Sequence, residues 1–394
     1  MNQNLQKLFQ IAQKEEKTGI GLMSGTSLDG LDIALCSFTG SGLQTKFKLL
    51  GFITIPYAEA FKKEIQAVFA KKQVDLEKVC LLNAYIGNFH GELVLQALGE
   101  WQVRPADVDF IASHGQTIYH APKRLHQQTG FPNATLQIGD GDHLAVKTGI
   151  LTISDFRQKH IAAGGEGAPL ALYGDVILGS KAGENRVLLN IGGIANLTWL
   201  PGDAGYTQIL CTDVGPGNTL IDAACRKYFD LPYDEDSKIA LSGKVNEALL
   251  NVLIAHPFFN EKAPKTTGPE LFNLLYVEDA QRQSGTSAIS REDLICTLSA
   301  LTAKSIADFI ADNIKANNIS IFTSGGGTRN PFIIGCLQKG LPGMKILGTG
   351  DLGIDPDAKE AILFALLGNE ALRGEPMRIG DNPAVLMGKF SFPI

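Results

Sequence analysis

The chain has 394 residues, a length that suggests two domains, or three small ones, of ordinary size. Hydrophobic residues make up 44% and charged residues 19% of the chain, which excludes general disorder. Lys and Arg total 35 against 41 for Asp and Glu, a formal net charge of −6, so there is no basic excess to bind a nucleic-acid backbone. A mildly acidic protein can still bind an anionic nucleotide through backbone N–H groups and a metal.

Cysteine and histidine spacing excludes two further classes. The six cysteines have no CxxC pair and the seven histidines no His-x-x-x-His pair, so neither a disulfide framework nor a zinc site is predicted. The longest apolar run, around 361–367, is far shorter than the ~18 residues of a membrane span. Residues 1–17 lack the apolar core of a secretion signal and predict a short amphipathic helix. We therefore expect a soluble, cytoplasmic protein with no membrane or nucleic-acid partner.

The first half of the chain predicts a hairpin, a third strand, helices and further strands. Apolar alternation predicts strands at 20–23, 31–38, 47–55, 108–112 and 150–153. Helical periodicity appears at 61–69 and 76–98.

The second half repeats this order. Strands are predicted at 187–191, 194–200, 208–211 and 319–323, and helices at 219–228, 245–255 and 294–314. Ser290 and Asp293 predict a capping box, and Asn330 with Pro331 predicts another helix start. Such internal duplication indicates two related α/β domains with a cleft between them, where a ligand commonly binds.

Glycine accounts for 43 residues, and three predicted loops are rich in it. Small residues let backbone N–H groups approach a phosphate, so the loop at 25–32 fits either a phosphate site or a plain hairpin turn. The Gly-Gly turn at 192–193 has the same two interpretations. The loop at 323–330 places three glycines before a helix N-terminus, which favours an anion. No P-loop pattern occurs. The Gly-x-Gly-x-x-Gly at 348–353 lacks a following helix in register, so it supports a dinucleotide enzyme only weakly.

Asp213 stands in a fourth glycine-rich segment. It follows a predicted strand and precedes Gly-Pro-Gly-Asn at 215–218, where a general base would have room for a substrate. The alternative is an aspartate that accepts N–H bonds from its own turn.

Two polar residues of the first half also follow predicted strands. His114 is either a site residue or a hydrogen-bonded loop histidine, and Asp155 is either a site residue or a partner of Arg157 or Lys159. The glycines at 164–167 are expected to form an interdomain hinge.

The segment at 21–32 resembles the N-terminal motif of the bacterial anhydro-N-acetylmuramic acid kinases; it reads GLMSGTSLDGLD. Seven further matches follow in the family's order, at 113–117, 155–157, 163–169, 190–196, 213–218, 265–273 and 325–330. The resemblance extends from about residue 19 to the C-terminus. It implies an α/β, two-domain actin-like ATPase fold, that of the sugar kinase, Hsp70 and actin superfamily, with an interdomain cleft. We expect domain I at 1–162, with 383–394 returning to it, and domain II at 163–382.

The resemblance also implies a reaction. ATP would convert 1,6-anhydro-N-acetylmuramic acid to N-acetylmuramic acid 6-phosphate in cell-wall (murein) recycling. Because O6 of the substrate is tied to the anomeric carbon, a water must attack that carbon as O6 takes the γ-phosphoryl group, and Asp213 would activate this water. Mg²⁺ is expected because phosphoryl transfer needs its charge neutralised. A homodimer is carried over from the family.

Ligand contacts follow from the same resemblance. The phosphates would be held by Gly25, Thr26, Ser27, Leu28, Asp29, Gly30, Leu31 and Asp32, and by the opposing Gly192 and Gly193. The adenosine would lie near Gly325, Gly326 and Gly327. The sugar would contact His114, Thr117, Asp155 and Glu360.

Three features depart from the family's pattern. Residues 1–18 precede the usual start, Pro269 stands where many members carry a basic residue, and His143 interrupts a stretch that is usually small and apolar. The alternatives are an ordinary amino-sugar kinase acting on a free hydroxyl, an ATP-gated binding protein of the same fold, and a glycoside hydrolase that uses Asp213. Asp213 favours an enzyme over the binding protein, and a requirement for ATP would exclude the hydrolase.

Overall fold

The computed structural model describes residues 2–203, 208–353, 355, 357–380 and 382–394. The chain divides into two compact units: unit 1 contains Met1–Leu178 and Ile354–Ile394, and unit 2 contains Gly179–Gly353. The strands are β1 (Glu16–Ser24), β2 (Gly30–Thr39), β3 (Lys46–Pro56), β4 (Phe110–Ala121), β5 (Ala134–Ile138), β6 (Thr152–Ser154), β7 (Asn185–Ile191), β8 (Ile194–Leu200), β9 (Leu210–Pro216), β10 (Ile319–Ser324), β11 (Lys345–Gly348) and β12 (Lys389–Ser391).

Helices surround both sheets. They are α1 (Gln3–Gln13), α2 (Glu59–Gln66), α3 (Leu76–Glu100), α4 (Lys123–His126), α5 (Gly141–Thr148), α6 (Phe156–Ala162), α7 (Ala171–Gly179), α8 (Thr219–Phe229), α9 (Lys238–Ser242), α10 (Glu247–Ile254), α11 (Pro257–Asn260), α12 (Leu274–Ser284), α13 (Arg291–Asn313), α14 (Pro331–Gly340) and α15 (Lys359–Arg373).

The two sheets share one strand order. In unit 1 the order is β12-β6-β4-β1-β2-β3, with β5 on β4, and in unit 2 it is β11-β10-β7-β8-β9. In each unit the first three strands form an antiparallel meander, and the next two central strands run parallel to the first. This repeat confirms the duplicated α/β fold that the sequence predicts.

Close backbone packing holds α15 on the sheet of unit 1. A Cβ on Gly21 of β1 would lie 1.8 Å from the carbonyl oxygen of Ala361, so only glycine lets the helix approach this strand. Phe364 of α15 also packs on Phe156 of α6, with ring centroids 5.6 Å apart. The C-terminal helix is therefore part of the core of unit 1.

The long helix α13 forms the core of unit 2. It is long and apolar enough to cross a membrane by length and composition, but most of its side chains are buried inside the protein. Half of the predicted capping box forms: the Ser290 hydroxyl accepts the N–H of Asp293 at 3.0 Å, whereas the Asp293 carboxylate accepts the N–H of Lys244 at 2.7 Å. Likewise, Asn330 caps α14 and Pro331 is its first residue.

The observed division differs from the predicted domain boundaries of 1–162 with 383–394, and 163–382. It falls after residue 178 and before residue 354 because α7 and α15 pack with unit 1. Lys359 at the start of α15 forms an ion pair with Asp175 of α7, at 2.8 Å. The predicted hinge at 164–167 consequently lies inside unit 1, between α6 and α7.

Two predicted strand ends were wrong. The predicted strand at 108–112 continues as β4 to Ala121, and the predicted strand at 208–211 is β9, which continues to Pro216. Both were predicted to end where polar residues begin. These polar residues, however, pair with neighbouring strands, and β-bulges accommodate them.

Candidate active site

The turn between β1 and β2 presents unused backbone donors. The N–H of Leu28 donates to the carbonyl of Gly25 at 3.4 Å and closes the turn. Leu28 is buried, with a φ of 59°, whereas Thr26 and Ser27 are exposed. In the part of the chain that the structure describes, the N–H groups of Thr26 and Ser27 have no acceptor. Two free N–H groups beside two hydroxyls fit an anion such as a phosphate.

The remaining residues predicted at this loop, Gly30, Leu31 and Asp32, lie in β2. The Thr54 hydroxyl donates to Asp32 Oδ1 at 2.6 Å. Burial raises the pKa of Asp32, and the nearby carboxylates of Asp357 and Asp29 raise it further.

These carboxylates bear on the predicted Mg²⁺. Among the described residues no group of three or more His, Cys, Asp or Glu side chains is arranged to hold a metal ion. Mg²⁺ bound to a nucleotide needs only one or two carboxylates, because phosphates and waters complete its shell. A cation would relieve the repulsion that Asp29 and Asp357 exert on Asp32, so the donor set fits Mg²⁺ bound together with ATP.

His114 lies in β4 rather than in the predicted loop. The register of β4 against β1 shifts between Leu22 and Ser24, which places a bulge at His114 and Gly115. His114 Nε2 accepts from Arg157 Nε at 3.2 Å and lies 3.1 Å from Arg157 Nη2. Burial, with help from the Arg157 charge, lowers the pKa of His114 to about 3, so the ring is neutral at physiological pH.

Arg157 connects this histidine to two other segments. Its Nη1 donates to the carbonyl of Gly167 at 2.8 Å, and the N–H of Gly167 donates to His160 Nδ1 at 2.9 Å. The segment predicted as a hinge is thus bonded to α6. Burial lowers the pKa of Arg157, while the Glu360 charge raises it.

Glu360 stands at the start of α15 and reaches solvent. Nearby protein atoms nevertheless desolvate its carboxylate and raise its pKa. The charge of Asp32 raises this pKa further, whereas the charges of Arg157 and Lys359 lower it. The structure therefore brings Glu360 into the electrostatic range of both the phosphate loop and the His114–Arg157 pair.

The two other predicted sugar contacts are engaged with side chains of unit 1. Thr117 lies in β4, and its hydroxyl accepts from Gln137 Nε2 at 3.2 Å. Asp155 precedes α6 in a left-handed conformation, with a φ of 58°. Its carboxylate pairs with Lys389 of β12, and not with Arg157 or Lys159 as the alternative interpretation expected.

In unit 2, residues at the start of α8 donate hydrogen bonds to the two carbonyls of the Gly192–Gly193 turn. The N–H of Asn218 donates to the Gly192 carbonyl and the N–H of Gly217 to the Gly193 carbonyl, both at 2.8 Å. Thr219 adds its hydroxyl to the Gly193 carbonyl at 2.7 Å. In the described ranges the N–H groups of Gly192 and Gly193 have no acceptor, so this turn too can bind an anion.

The third glycine segment packs against the same turn. Gly325, in a left-handed conformation, begins a short 3₁₀ turn over Gly326–Arg329. Gly327 lies against Ile191 at the end of β7, and Ser324 Oγ lies 3.4 Å from Asn190 Oδ1. Unit 2 therefore brings 192–193, 213–218 and 325–327 together at one edge of its sheet.

Asp213 lies inside β9, one residue before a bulge at Val214. Its carboxylate does not bond to its own turn, which was the alternative interpretation. Instead, Oδ2 accepts the N–H of Thr267 at 2.8 Å from the segment after α11. Among the described residues Oδ1 has no hydrogen-bond partner, and the side chain is half-buried. Burial raises the pKa of Asp213, and the Thr267 bond lowers it.

Lys265 holds the segment that carries Thr267. Its Nζ is buried and donates to the carbonyls of Phe258 and Phe259, at 2.7 and 3.2 Å. Its carbonyl accepts the N–H of Asp213 at 3.0 Å. Arg157, Lys265 and Thr267 lie within the segments 155–157 and 265–273 that resemble the family, but the sequence predicted no site role for them. Burying an Arg or Lys side chain costs free energy unless the side chain is hydrogen-bonded. The charged residues within these two segments were therefore the sequence signal that could have indicated a structural role.

Phosphoryl transfer requires hydrogen-bond donors to the phosphates and a positioned base, rather than covalent chemistry by the protein. Free N–H groups at two glycine turns and a half-buried carboxylate with one free oxygen, on a repeated α/β fold, are features expected of an ATP-dependent sugar kinase.

Comparison with known proteins identifies the family. A family profile described as "Anhydro-N-acetylmuramic acid kinase" matches residues 17–386. An anhydro-N-acetylmuramic acid kinase of Pseudoalteromonas atlantica is 51% identical over 400 residues, covering 100% of both chains. Another, from Caldanaerobacter subterraneus subsp. tengcongensis, is 39% identical and covers 98% of this chain and 100% of its own. The chain belongs to the anhydro-N-acetylmuramic acid kinase family.

Two solved structures are also similar in fold. The activator of 2-hydroxyisocaproyl-CoA dehydratase from Clostridium difficile, with bound ADPNP, has a TM-score of 0.38 and 12% identity, covering 90% of this chain and 96% of its own. A ROK family glucokinase from Streptomyces griseus, in complex with glucose and AMPPNP, has a TM-score of 0.34 and 10% identity, covering 89% and 97%.

Family membership confirms the predicted family, the assignment as an enzyme, and ATP-dependent phosphorylation of an anhydro-amino sugar as its function. The alignment with the Pseudoalteromonas relative also includes residues 1–18, which precede the usual start of the family.

Proposed function

We propose that this chain opens the anhydro ring and phosphorylates the sugar through one water attack, with Asp213 as the general base. The water oxygen bonds to the anomeric carbon, its proton passes to the Asp213 carboxylate, and the bond from that carbon to O6 breaks. O6 takes the γ-phosphoryl group of ATP, and ADP leaves. The products are N-acetylmuramic acid 6-phosphate and ADP.

The observation that carries this proposal is the hydrogen bonding of Asp213. One carboxylate oxygen is fixed by the Thr267 N–H, while the other has no partner in the described part of the chain. A general base needs both a fixed orientation and a free oxygen that can take a proton. The pKa of this carboxyl is raised by burial, which makes it a stronger base than an exposed aspartate.

ATP would be held by backbone donors of the glycine turns. The turn that includes Gly25, Thr26 and Ser27 would take phosphate oxygens, and Gly192 and Gly193 would supply the second set of N–H groups. Gly325, Gly326 and Gly327 would lie near the adenosine. Asp32 and Asp29 would hold Mg²⁺ through waters; when bound, the ion would neutralise charge on the phosphates.

The sugar side would be formed by Thr117, Asp155 and Glu360, with His114 behind them. His114 is 5% exposed and its Nε2 is occupied by Arg157, which supports a role in orienting that guanidinium. Asp155 would exchange or share its Lys389 partner when the sugar binds.

We further propose that the protein is cytoplasmic and a homodimer. Its six cysteines are all free thiols, as expected in a reducing compartment. The dimer rests on family resemblance alone, and sedimentation at micromolar concentration tests it: a monomer mass would contradict it.

Isotope labelling tests the mechanism. Turnover of the anhydro-sugar with ATP in ¹⁸O water should label the anomeric hydroxyl and leave the bridging oxygen of the O6 phosphate unlabelled. Label in the bridging oxygen would contradict the coupled scheme. Faster turnover of an amino sugar with a free hydroxyl would identify an ordinary kinase, ring opening without ATP a hydrolase, and ATP binding without turnover a binding protein.

A further inference from the structure

Four buried polar side chains form a hydrogen-bond chain through unit 1: His90 of α3, Tyr57 after β3, Ser24 at the end of β1 and Gln116 of β4. Their exposed fractions are 1%, 4%, 1% and 0%. The Tyr57 hydroxyl lies 3.0 Å from His90 Nε2 and 2.8 Å from Ser24 Oγ. Ser24 Oγ lies 2.5 Å from Gln116 Oε1.

The direction of every bond in this chain follows from its last member. Gln116 Nε2 lies 3.4 Å from the carbonyl of Gly25 and 3.3 Å from that of Thr117, so the amide nitrogen must face these two acceptors. Gln116 Oε1 therefore faces Ser24 and accepts its single hydroxyl proton. Ser24 Oγ must then accept the proton of Tyr57.

The same reasoning fixes the tautomer of His90. Because the single hydroxyl proton of Tyr57 is donated to Ser24, the tyrosine oxygen can only accept from His90, and Nε2 carries the hydrogen. His90 Nδ1 is then an acceptor, and it is buried without a partner among the described residues. Burial lowers the pKa of His90 to about 3, so the ring stays neutral.

A neutral imidazole with one unpartnered nitrogen is an expensive core residue, and an apolar side chain would fill the space without that cost. The only hydrogen bond that the His90 side chain makes in the described ranges is the one to Tyr57. Its contribution is therefore the Nε2 donor that orients the chain.

The other end of the chain lies at the phosphate loop. The Gly25 carbonyl, which accepts from Gln116, also accepts the Leu28 N–H that closes the turn. The conformation of that turn determines the direction of the free N–H groups of Thr26 and Ser27. We propose that Tyr57 and His90 are positioning residues, which act through Ser24 and Gln116 to set the phosphate loop for ATP. The proposal rests on the proposed function to the extent that this loop binds the ATP phosphates.

The variant Tyr57→Phe tests this. It keeps the ring that packs on Phe61, with centroids 4.5 Å apart, and removes the hydroxyl. We expect the Kd of a non-hydrolysable ATP analogue and the KM for ATP to rise roughly tenfold, with the KM for the sugar unchanged. An unchanged Kd for the analogue would overturn the proposal.

Tyr276→Phe is the matched control. The Tyr276 hydroxyl donates to the Leu253 carbonyl at 2.6 Å inside an aromatic cluster of unit 2. Tyr57→Phe loses two hydrogen bonds of its hydroxyl and Tyr276→Phe loses one, so thermal stability should fall in both, but only Tyr57→Phe should weaken binding of the analogue. Equal weakening in both variants would indicate a purely structural effect and overturn the proposal.

Two experiments test the role of His90: substitutions that keep or remove its hydrogen-bond donor, and a measurement of its tautomer. His90→Gln retains a donor for Tyr57 and should bind the analogue like the wild type, whereas His90→Leu should weaken binding as Tyr57→Phe does. In wild type with ¹⁵N-labelled histidine, the His90 ring should carry its proton on Nε2; a proton on Nδ1 would overturn the proposal. Normal binding of the analogue with no turnover of the anhydro-sugar would instead contradict only the proposed function.

Discussion

One oxygen of the Asp213 carboxylate accepts the Thr267 N–H and the other has no partner among the described residues, so replacing this carboxylate tests its role as the base. Asp213→Asn preserves the shape and an acceptor for the Thr267 N–H while removing the base. We expect turnover to fall by at least ~10²–10⁴-fold, the range of a positioned general base. Ring opening and phosphorylation should be lost together, as product analysis would check.

Asp222→Asn provides the control for that loss. Asp222 lies in α8 and, like Asp213, is partly buried with a pKa raised by burial. The same change of charge at this site should leave turnover near that of wild type. Normal turnover by Asp213→Asn, or an accumulation of phosphorylated anhydro-sugar, would remove Asp213 from the proposed role.

Two buried histidines make stability depend on pH. His90 and His114 have pKa values lowered to about 3 by burial, against an ordinary value near 6.5. Between these values the unfolded chain binds a proton that the folded chain does not, so stability falls as pH decreases. Each histidine should cost roughly 2 kcal/mol between pH 7 and pH 5.

The free energy of unfolding of His90→Gln, measured at pH 7 and pH 5, tests the direction of this pH dependence. The variant lacks the proton uptake of His90, so its stability relative to wild type should improve by roughly 2 kcal/mol between pH 7 and pH 5. A difference that is the same at both pH values would mean that His90 titrates alike in the folded and unfolded chains.

Among the elements, the Gly192–Gly193 turn depends on close contact with the start of α8. A Cβ on Gly217 would lie 2.2 Å from the Gly192 carbonyl oxygen. Gly217→Ala should therefore displace the turn, cost about 1–3 kcal/mol of stability, and raise the KM for ATP severalfold. Calorimetry and steady-state kinetics measure the two effects.

Gly335→Ala is the corresponding control in α14. A Cβ there meets no atom within 4 Å, so the same substitution should stabilise the helix by roughly 0.5–1 kcal/mol and leave the KM for ATP unchanged. A Gly217→Ala enzyme with an unaltered KM would show that the turn does not need this contact.

The elements also show what the sequence could and could not predict. The hairpins and long helices were predictable because alternation, helical periodicity and caps such as Ser290 are local signals. The ends of β4 and β9 were not, because polar residues such as His114 and Asp213 continue in strands through bulges that depend on pairing with β1 and β8. The partners of the site residues, such as Thr267 for Asp213, come from segments far along the chain and leave no local pattern.

At the scale of the whole molecule, the proposed ligand contacts are divided between the two units. Unit 1 carries the phosphate loop and the proposed sugar contacts, and unit 2 carries Asp213 and the second glycine turn. Because the proposed reaction brings O6 of the sugar to the γ-phosphoryl group of ATP, the ligand that binds first can bear part of the ordering cost of the second. We expect the sugar to lower the Kd of an ATP analogue by about 5–150-fold, the usual range of such coupling.

Titration calorimetry in both orders checks this expectation. Thermodynamic linkage requires the ATP analogue to lower the Kd of the sugar by the same factor. Independent binding, with a factor of one in both orders, would contradict this coupling.

The chain leaves unit 1 after residue 178 and returns at residue 354, and this interruption has a consequence for biosynthesis. Unit 2 is continuous, so all of its residues are synthesised before the helix at Lys359–Arg373 and the edge strand at Lys389–Ser391. Because domains generally fold as units during synthesis, the unit encoded second should become native first. The first 178 residues must wait for the last 41, with their sheet short of a strand and the space over Gly21 unfilled. In this period the nascent chain exposes apolar surface that a chaperone can recognise.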